Sequence, residues 1–169
     1  MRPKDWLTVE EARSRLHYDP ETGRLTWKKL RNTRRIGEEA KSLDVAGYVQ
    51  VNISGTLVKG HRLAWLLHYG AWPDGDIDHI NGVRNDNRIS NLRSVSGKVN
   101  CQNQRVGSRP SATGLIGVHV QMRSVPEKRY RAKLWVDGRQ IHLGGYATPE
   151  EAHAAYVAAK RKHHEGCTL

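Results

Sequence analysis

The stretch from residue 76 to 104 leaves little choice in how it folds. Asp76 to Ile80 reads as a short strand, and Asn81-Gly82 is among the strongest tight-turn dipeptides. A polar loop rich in Asn, Asp and Arg runs to Ser90, and Leu92 to Val95 is suited to pair back as a second strand. Ser96 is placed to cap a helix from Gly97 to about Gln104. Strand, loop, strand and helix in so short a span form a supersecondary unit with little core of its own. Composition points the same way: 37% of residues are hydrophobic and Phe is absent, which argues against one large core. Five Trp and six Tyr supply bulk to small cores or stack on a flat partner.

The same segment carries chemistry. Asp78 and His79 are adjacent, Asn91 lies 12 residues after the histidine and Asn100 lies 21 after it. Phosphodiester hydrolysis needs a base to activate water and a cation to neutralise phosphate and leaving oxygen. A neutral imidazole such as His79 is available as base near neutral pH. Asp78 and the carboxamide of Asn100 suit a hard ion such as Mg²⁺ or Mn²⁺, with Asn103, one helical turn on, as reserve ligand. Asn91 is placed to hydrogen-bond the His79 backbone and hold the ring. Arg84, Arg88 and Arg93 are candidates to clamp the phosphate. Adjacent residues of a regular strand point to opposite faces, so the strand must end or bulge at Asp78-His79. Taken singly these are turn residues, caps and a surface histidine; the ordered set is what favours a site.

The formal charge of +11 is spread along the chain. Residues 1–108 hold 18 Lys/Arg against 12 Asp/Glu and residues 109–169 hold 10 against 5, so each part is basic, by +6 and +5. Both halves suit phosphate. No apolar run is long enough to span a bilayer and the start does not resemble a signal peptide, which leads us to expect a soluble, cytoplasmic protein without membrane contact. Cys101 and Cys167 stand alone, and neither a disulfide framework nor a structural zinc is expected.

Elsewhere, Thr8 and Glu11 have capping-box spacing ahead of a short helix carrying Val9, Ala12 and Leu16. Asp19-Pro20-Glu21-Thr22-Gly23 is a turn before a strand at Arg24 to Trp27. Gly47 to Ile53, Ser54-Gly55 and Thr56 to Lys59 read as a hairpin, and His61 to Tyr69 as a helix ended by Gly70. Arg105 to Thr113 reads as a linker. Beyond it, Ile116 to Met122, Tyr130 to Val136 and Ile141 to Leu143 alternate as strands, with Asp137-Gly138 as a hairpin turn. Thr148-Pro149-Glu150-Glu151 opens a helix whose Ala152, Ala155, Tyr156 and Ala159 form one face.

Two resemblances attach to these residues. His61-Arg62-Leu63-Ala64-Trp65, Asp78-His79-Ile80-Asn81-Gly82, Asp86-Asn87-Arg88, Asn91-Leu92-Arg93 and Asn100 together resemble the HNH endonucleases of bacteriophages and mobile introns, of the ββα-metal fold. Tyr18 to Trp27 is typical of phage members, and the likeness covers roughly residues 15–105. It implies His79 as general base, Asn91 as the residue orienting it, Asp78 and Asn100 as metal ligands, and ends with 5′-phosphate and 3′-hydroxyl. The family's third letter is often His; Asn100, as in intron-type members, leaves fewer strong ligands and weakens the case for zinc. Residues 113–166 resemble the Apetala/ethylene-response-factor DNA-binding domain through Gly117-Val118, Arg129-Tyr130-Arg131-Ala132, Leu143-Gly144-Gly145-Tyr146 and the Glu151 to Ala159 helix. That likeness implies a sheet face entering the major groove. Alternation puts His119, Gln121, Arg123, Arg131, Lys133, Trp135 and His142 on it.

We therefore expect an α+β protein. Residues 1–60 form a helix and β-hairpin region, 61–104 the ββα-metal nuclease core, 105–113 a linker and 114–166 a three-stranded antiparallel sheet packed on one helix. The expected activity is metal-dependent cleavage of double-stranded DNA by a homing or free-standing phage-type enzyme acting in the host cytoplasm. One site per chain implies nicking by a monomer and double-strand cutting where two copies meet. A non-cleaving DNA-binding regulator on the same scaffold is the alternative; a packaging or RNA-binding phage protein is a third reading.

Overall fold

The computed structural model describes residues 6–28, 36–103 and 112–169. It has two compact units, Met1–Gly97 and Lys98–Leu169, and the described residues form a mixed α+β set of small sheets and four α-helices. The linker expected at 105–113 falls outside the described residues as far as residue 111.

In the first unit, helix α1 (Val9–Arg15) starts at the Thr8–Glu11 capping box, with both reciprocal hydrogen bonds formed. It buries Ala12 and hands over to strand β1 (Leu16–Tyr18), which pairs antiparallel with β2 (Leu25–Trp27) across the Asp19-to-Arg24 turn. Strands β3 (Ser42–Leu43), β4 (Val49–Ile53) and β5 (Thr56–Lys59) form an antiparallel sheet in that order. Its β4–β5 turn takes positive φ at Ser54 and Gly55, the pair whose twist matches the flanking strands. Helix α2 (Gly60–Tyr69) follows without a break and ends on Gly70 in the left-handed region.

The main core joins Leu7, just ahead of α1, with Ala12 of that helix, Leu16 and Leu25 of the first hairpin, Val51, Ile53 and Val58 from the sheet and Leu63, Leu66 and Leu67 from α2. Strands β6 (Asp76–His79) and β7 (Leu92–Val95) pair antiparallel, joined by a loop that ends in a 3₁₀ turn at Ile89–Asn91. Their own apolar contribution is small. Ile77 and Leu92 pack on Ala64 of α2, with Tyr18 and Trp65 alongside. The pair thus draws its support from the first unit, whereas helix α3 (Gly97–Gln102) is counted almost wholly with the second.

The second unit has strand β8 (Val118–Val120), strand β9 (Tyr130–Val136), strand β10 (Arg139–Tyr146) and helix α4 (Pro149–His163). The sheet order is β10-β9-β8, all antiparallel. Asp137 and Gly138, both at positive φ, turn β9 into β10. Helix α4 begins at a Thr148–Glu151 capping box with Pro149 at its first position. It packs on all three strands, burying Ala152 and Tyr156 against Val118, Ala132 and Leu134. Strand β8 is shorter than alternation implies: it stops at Val120, and Met122 is exposed in a turn rather than in the core.

One glycine ties the first hairpin to the β6–β7 loop. Gly23 has φ +73°, and a Cβ there would lie 2.5 Å from the Arg88 backbone nitrogen and 2.6 Å from the Asn87 carbonyl carbon. Backbone atoms cannot yield as a flexible side chain does. We expect Gly23→Ala to lower the thermal midpoint, by roughly 4–8 °C for each kcal/mol lost in a unit of this size. An unchanged midpoint would contradict the close packing of the two loops.

Candidate active site

Strand β6 has four residues, of which the last three, Ile77, Asp78 and His79, are buried. His79 is 4% exposed and Asp78 6%. Polar groups buried to that degree need partners, and the two find different ones.

The His79 Nε2 lies 3.2 Å from the Asn87 side-chain oxygen. With the amide oxygen turned to the ring, Nε2 is the donor and Nδ1 carries the lone pair. Asn87 is itself 2% exposed, and its backbone carbonyl accepts a 2.8 Å hydrogen bond from the Tyr18 hydroxyl of β1. Ile89 N–H donates to Pro20 O across the same contact. Gly60, the first residue of α2, leaves room for the amide: a Cβ there would meet Asn87 Nδ2 at 3.1 Å and Val49 at 2.8 Å. Two further rings close on His79. His61 of α2 stands 5.2 Å away at 82° and Tyr48 5.8 Å away at 46°, and the two contact each other at 5.4 Å.

Burial pushes His79 below the ordinary imidazole value, opposed by the Asn87 hydrogen bond and the Asp78 charge. His61 goes further, down to about 3, through burial first and then through His79, Arg62 and Lys59. Both rings are therefore neutral at neutral pH.

Asn91 braces the loop. Its side-chain oxygen accepts from Asn81 N–H at 2.9 Å, its amide donates to the Asp86 carbonyl at 2.8 Å, and its carbonyl accepts from Ile80 N–H. Asn81 in turn donates to Asp86, whose carboxylate takes two bonds from the Arg88 guanidinium and one from its backbone N–H. Sequence reasoning gave Asn91 a hydrogen bond to the His79 backbone; the bonds seen here go to the backbone of the next two residues, Ile80 and Asn81, and the ring neighbours Asn87, His61 and Tyr48 were missed. Asn91 sits opposite Ile80 and Asn81, one step past the ring. The Asp86-Asn87-Arg88 motif was the available signal for Asn87.

Asp78 pairs across the ladder with Arg93, whose Nε and Nη2 both reach Asp78 Oδ2, at 2.8 and 2.7 Å. The register runs without a bulge to His79, where the strand ends. Arg93 is thus held by a carboxylate. Arg88 is held by Asp86, and Arg84 donates to Ala46 O with its guanidinium 5.3 Å from the Tyr48 ring centroid.

Asn100 lies on α3, in the second unit, and Asn103 follows that helix. Asn103 is buried and its side-chain oxygen accepts from the Thr168 hydroxyl. Among the described residues no three His, Cys, Asp or Glu gather as a metal group. The donor set available among the described residues of the first unit is one buried carboxylate, that of Asp78. That set fits a hard divalent cation which keeps water and substrate oxygens in most positions.

On the second unit, burial alternates along β9: Ala132 and Leu134 face α4, while Arg131, Lys133 and Trp135 face away. The register sets His119 opposite Arg131, His142 opposite Lys133 and Gln140 opposite Trp135. Trp135 is 59% exposed. Burial and the Lys133 charge hold His119 below its ordinary value. Gln121 and Arg123 do not extend this face, because β8 stops at Val120; Gln121 is partly buried and Arg123 lies in the turn. Gln140, missed in the sequence, was marked by the two-residue Asp137-Gly138 turn that sets it against Trp135.

The neutral rings give a pH signature. An unfolded imidazole titrates near about 6.5, so below that pH the unfolded chain binds protons that native His61 and His79 do not. Stability is thus fully present above that value and falls as pH drops toward the lower native ones. Carboxylates, with unfolded values near about 4, add little above about pH 5. We expect His61→Phe to remove up to about 1.4 kcal/mol per pH unit from the slope of urea stability between about pH 6.5 and 5. An unchanged slope would contradict a neutral His61.

Comparison with known proteins bears on one part of the chain. No curated protein and no solved structure matches it. A family model described as HNH endonuclease matches residues 58–102, from the last two residues of β5 through α2, β6, β7 and α3. That span contains Asp78, His79, Asn87, Asn91, Arg93 and Asn100, and it stops short of the second sheet. Residues 58–102 are thus similar to the HNH endonuclease family, and the match extends to no other part of the chain.

Proposed function

We propose that this protein is a metal-dependent DNA endonuclease of the homing or free-standing phage type, acting through Asp78 and His79 and leaving 5′-phosphate and 3′-hydroxyl ends. The observation that carries the reading is the buried, neutral His79 ring, oriented by Asn87 inside the HNH match. With Nε2 donated to Asn87, Nδ1 is the nitrogen that takes the proton of the attacking water. His61 and Tyr48 wall the ring on one side and limit its access to bulk water.

Asp78 would hold the cation, and Mg²⁺ or Mn²⁺ fits such a hard donor; the ligand roles of Asn100 and, in reserve, Asn103 rest on the sequence resemblance alone. Bound there, the ion supplies charge neutralisation at the phosphate and the leaving oxygen. Arg84, Arg88 and Arg93 are the phosphate contacts in this reading. The Arg88–Asp86 pair is half-exposed, the kind of ion pair worth little in water, so its guanidinium exchanges readily onto a phosphate. Asn91 keeps the loop carrying Asp86 and Asn87 in place.

Recognition is assigned to the second unit. Its open sheet face presents Arg131, Lys133, His119, His142 and Trp135, cationic and hydrogen-bonding groups with an aromatic among them. This suits double-stranded DNA, with Arg131 reading base edges, Lys133 meeting phosphate, and Gln121 and Arg123 at the rim. The likeness to the Apetala/ethylene-response-factor domain supports it from the residues alone. No helix among the described residues is long and apolar enough to cross a membrane.

Supercoiled plasmid incubated with Mg²⁺ or Mn²⁺ tests the enzyme reading. Nicking or linearisation is expected, abolished by EDTA and reduced about 10²–10⁴-fold in His79→Ala. Salt-sensitive binding without cleavage would replace the enzyme by the regulator. For the second unit, Lys133→Ala should weaken binding uniformly across sequences and reduce the salt slope by about 1, while Arg131→Ala should relax sequence preference. Unchanged binding in both variants, measured by mobility shift at several salt concentrations, would move recognition off this face.

A further inference from the structure

We infer that Arg93 is an internal stand-in for the metal: it occupies the Asp78 carboxylate in the free protein and makes metal uptake depend on the arrival of a DNA phosphate. This rests on the reading of Asp78 as a metal ligand.

Three observations carry it. The Asp78 side chain is 7% exposed, so its charge requires a cation within the fold at all times. Arg93 is that cation, placed by the ladder register directly opposite and bonded through both Nε and Nη2 to the same oxygen, Oδ2. Unlike its partner, Arg93 keeps 29% of its side-chain surface in solvent, so the side chain can be reached from outside the fold.

A divalent ion at Asp78 would place two cations on one carboxylate, and at a few ångströms in a partly desolvated setting they repel. Metal entry therefore requires Arg93 to move or to gain a second anion. The backbone phosphate supplies that anion, and a guanidinium fork matches phosphate as well as it matches carboxylate. The resulting coupling is reciprocal: phosphate raises affinity for metal, and metal raises affinity for phosphate. The free enzyme is thereby kept from holding a bare, loaded ion that would act on stray substrates.

The test is Mn²⁺ binding to the full chain by titration calorimetry, with and without a duplex of arbitrary sequence at low salt. All samples carry His79→Ala to prevent cleavage. In the Arg93-containing protein, binding should be weak alone and at least about tenfold tighter with duplex. Arg93→Gln should bind Mn²⁺ at least about tenfold more tightly than its parent without DNA, and gain little from the duplex. No tightening in Arg93→Gln, together with loss of binding in Asp78→Asn, would overturn the stand-in and leave the ligand assignment intact. If Asp78→Asn binds Mn²⁺ with duplex as well as its parent does, the ligand assignment itself falls. Should Arg93→Gln fail to fold, the Nε–H resonance of Arg93 in the parent gives the same answer. It should move only when Mg²⁺ and duplex are both present; a signal indifferent to both would overturn the proposal.

Discussion

Two polar side chains buried side by side at the end of one strand set the terms for the first unit. Asp78 and His79 lose their water at the end of β6, and the fold must replace it. Asp78 receives a guanidinium from the neighbouring strand. His79 receives an amide from the loop, and that amide needs its own support: the Tyr18 hydroxyl, the tight approach of Gly23 and the bare Gly60. The first hairpin and the start of α2 are thus parts of the site rather than decoration around it. Because β6 and β7 contribute only Ile77 and Leu92 to an apolar cluster, the precision of the site comes from hydrogen bonds and from the neighbouring core of α1, α2 and the β4–β5 hairpin.

Electrostatics divides the labour. Inside the first unit, cations are held: Arg93 on Asp78, Arg88 on Asp86, Lys59 on Asp44. Burial keeps His61 and His79 neutral in the midst of this charge. On the second unit the sheet face instead sets Arg131, Lys133 and two histidines out in solvent on neighbouring strands. A held cation gives position and an unheld one gives affinity for a polyanion. A chain of charge +11 built this way has both at hand.

Much of this was legible in the residues. Capping boxes at Thr8 and Thr148, the Ser54-Gly55 and Asp137-Gly138 turns and the Gly70 stop are local rules, and local rules survive folding. The order Asp78-His79 with the polar loop and return strand was readable too, because turn chemistry and the family motif coincide there. What the sequence concealed are contacts between distant segments. Nothing local says that Asn87 meets the His79 ring, since that depends on where Tyr18 and Pro20 dock. Alternation carried β8 on to Met122 because it cannot see a strand stop; Gln121 and Arg123 followed it off the sheet. Arg93 looked like a phosphate ligand and is engaged by Asp78, a pairing visible only once the strand register is known.

The most direct measurement is the position of Mn²⁺ by anomalous scattering in crystals of the His79→Ala protein with a DNA duplex. The account predicts one peak within about 2.0–2.3 Å of an Asp78 carboxylate oxygen, shared with a phosphate oxygen. It also predicts the Arg93 guanidinium turned from Oδ2 toward that phosphate. A peak remote from Asp78, or DNA bound with Arg93 still on Asp78 and no metal between them, would contradict it.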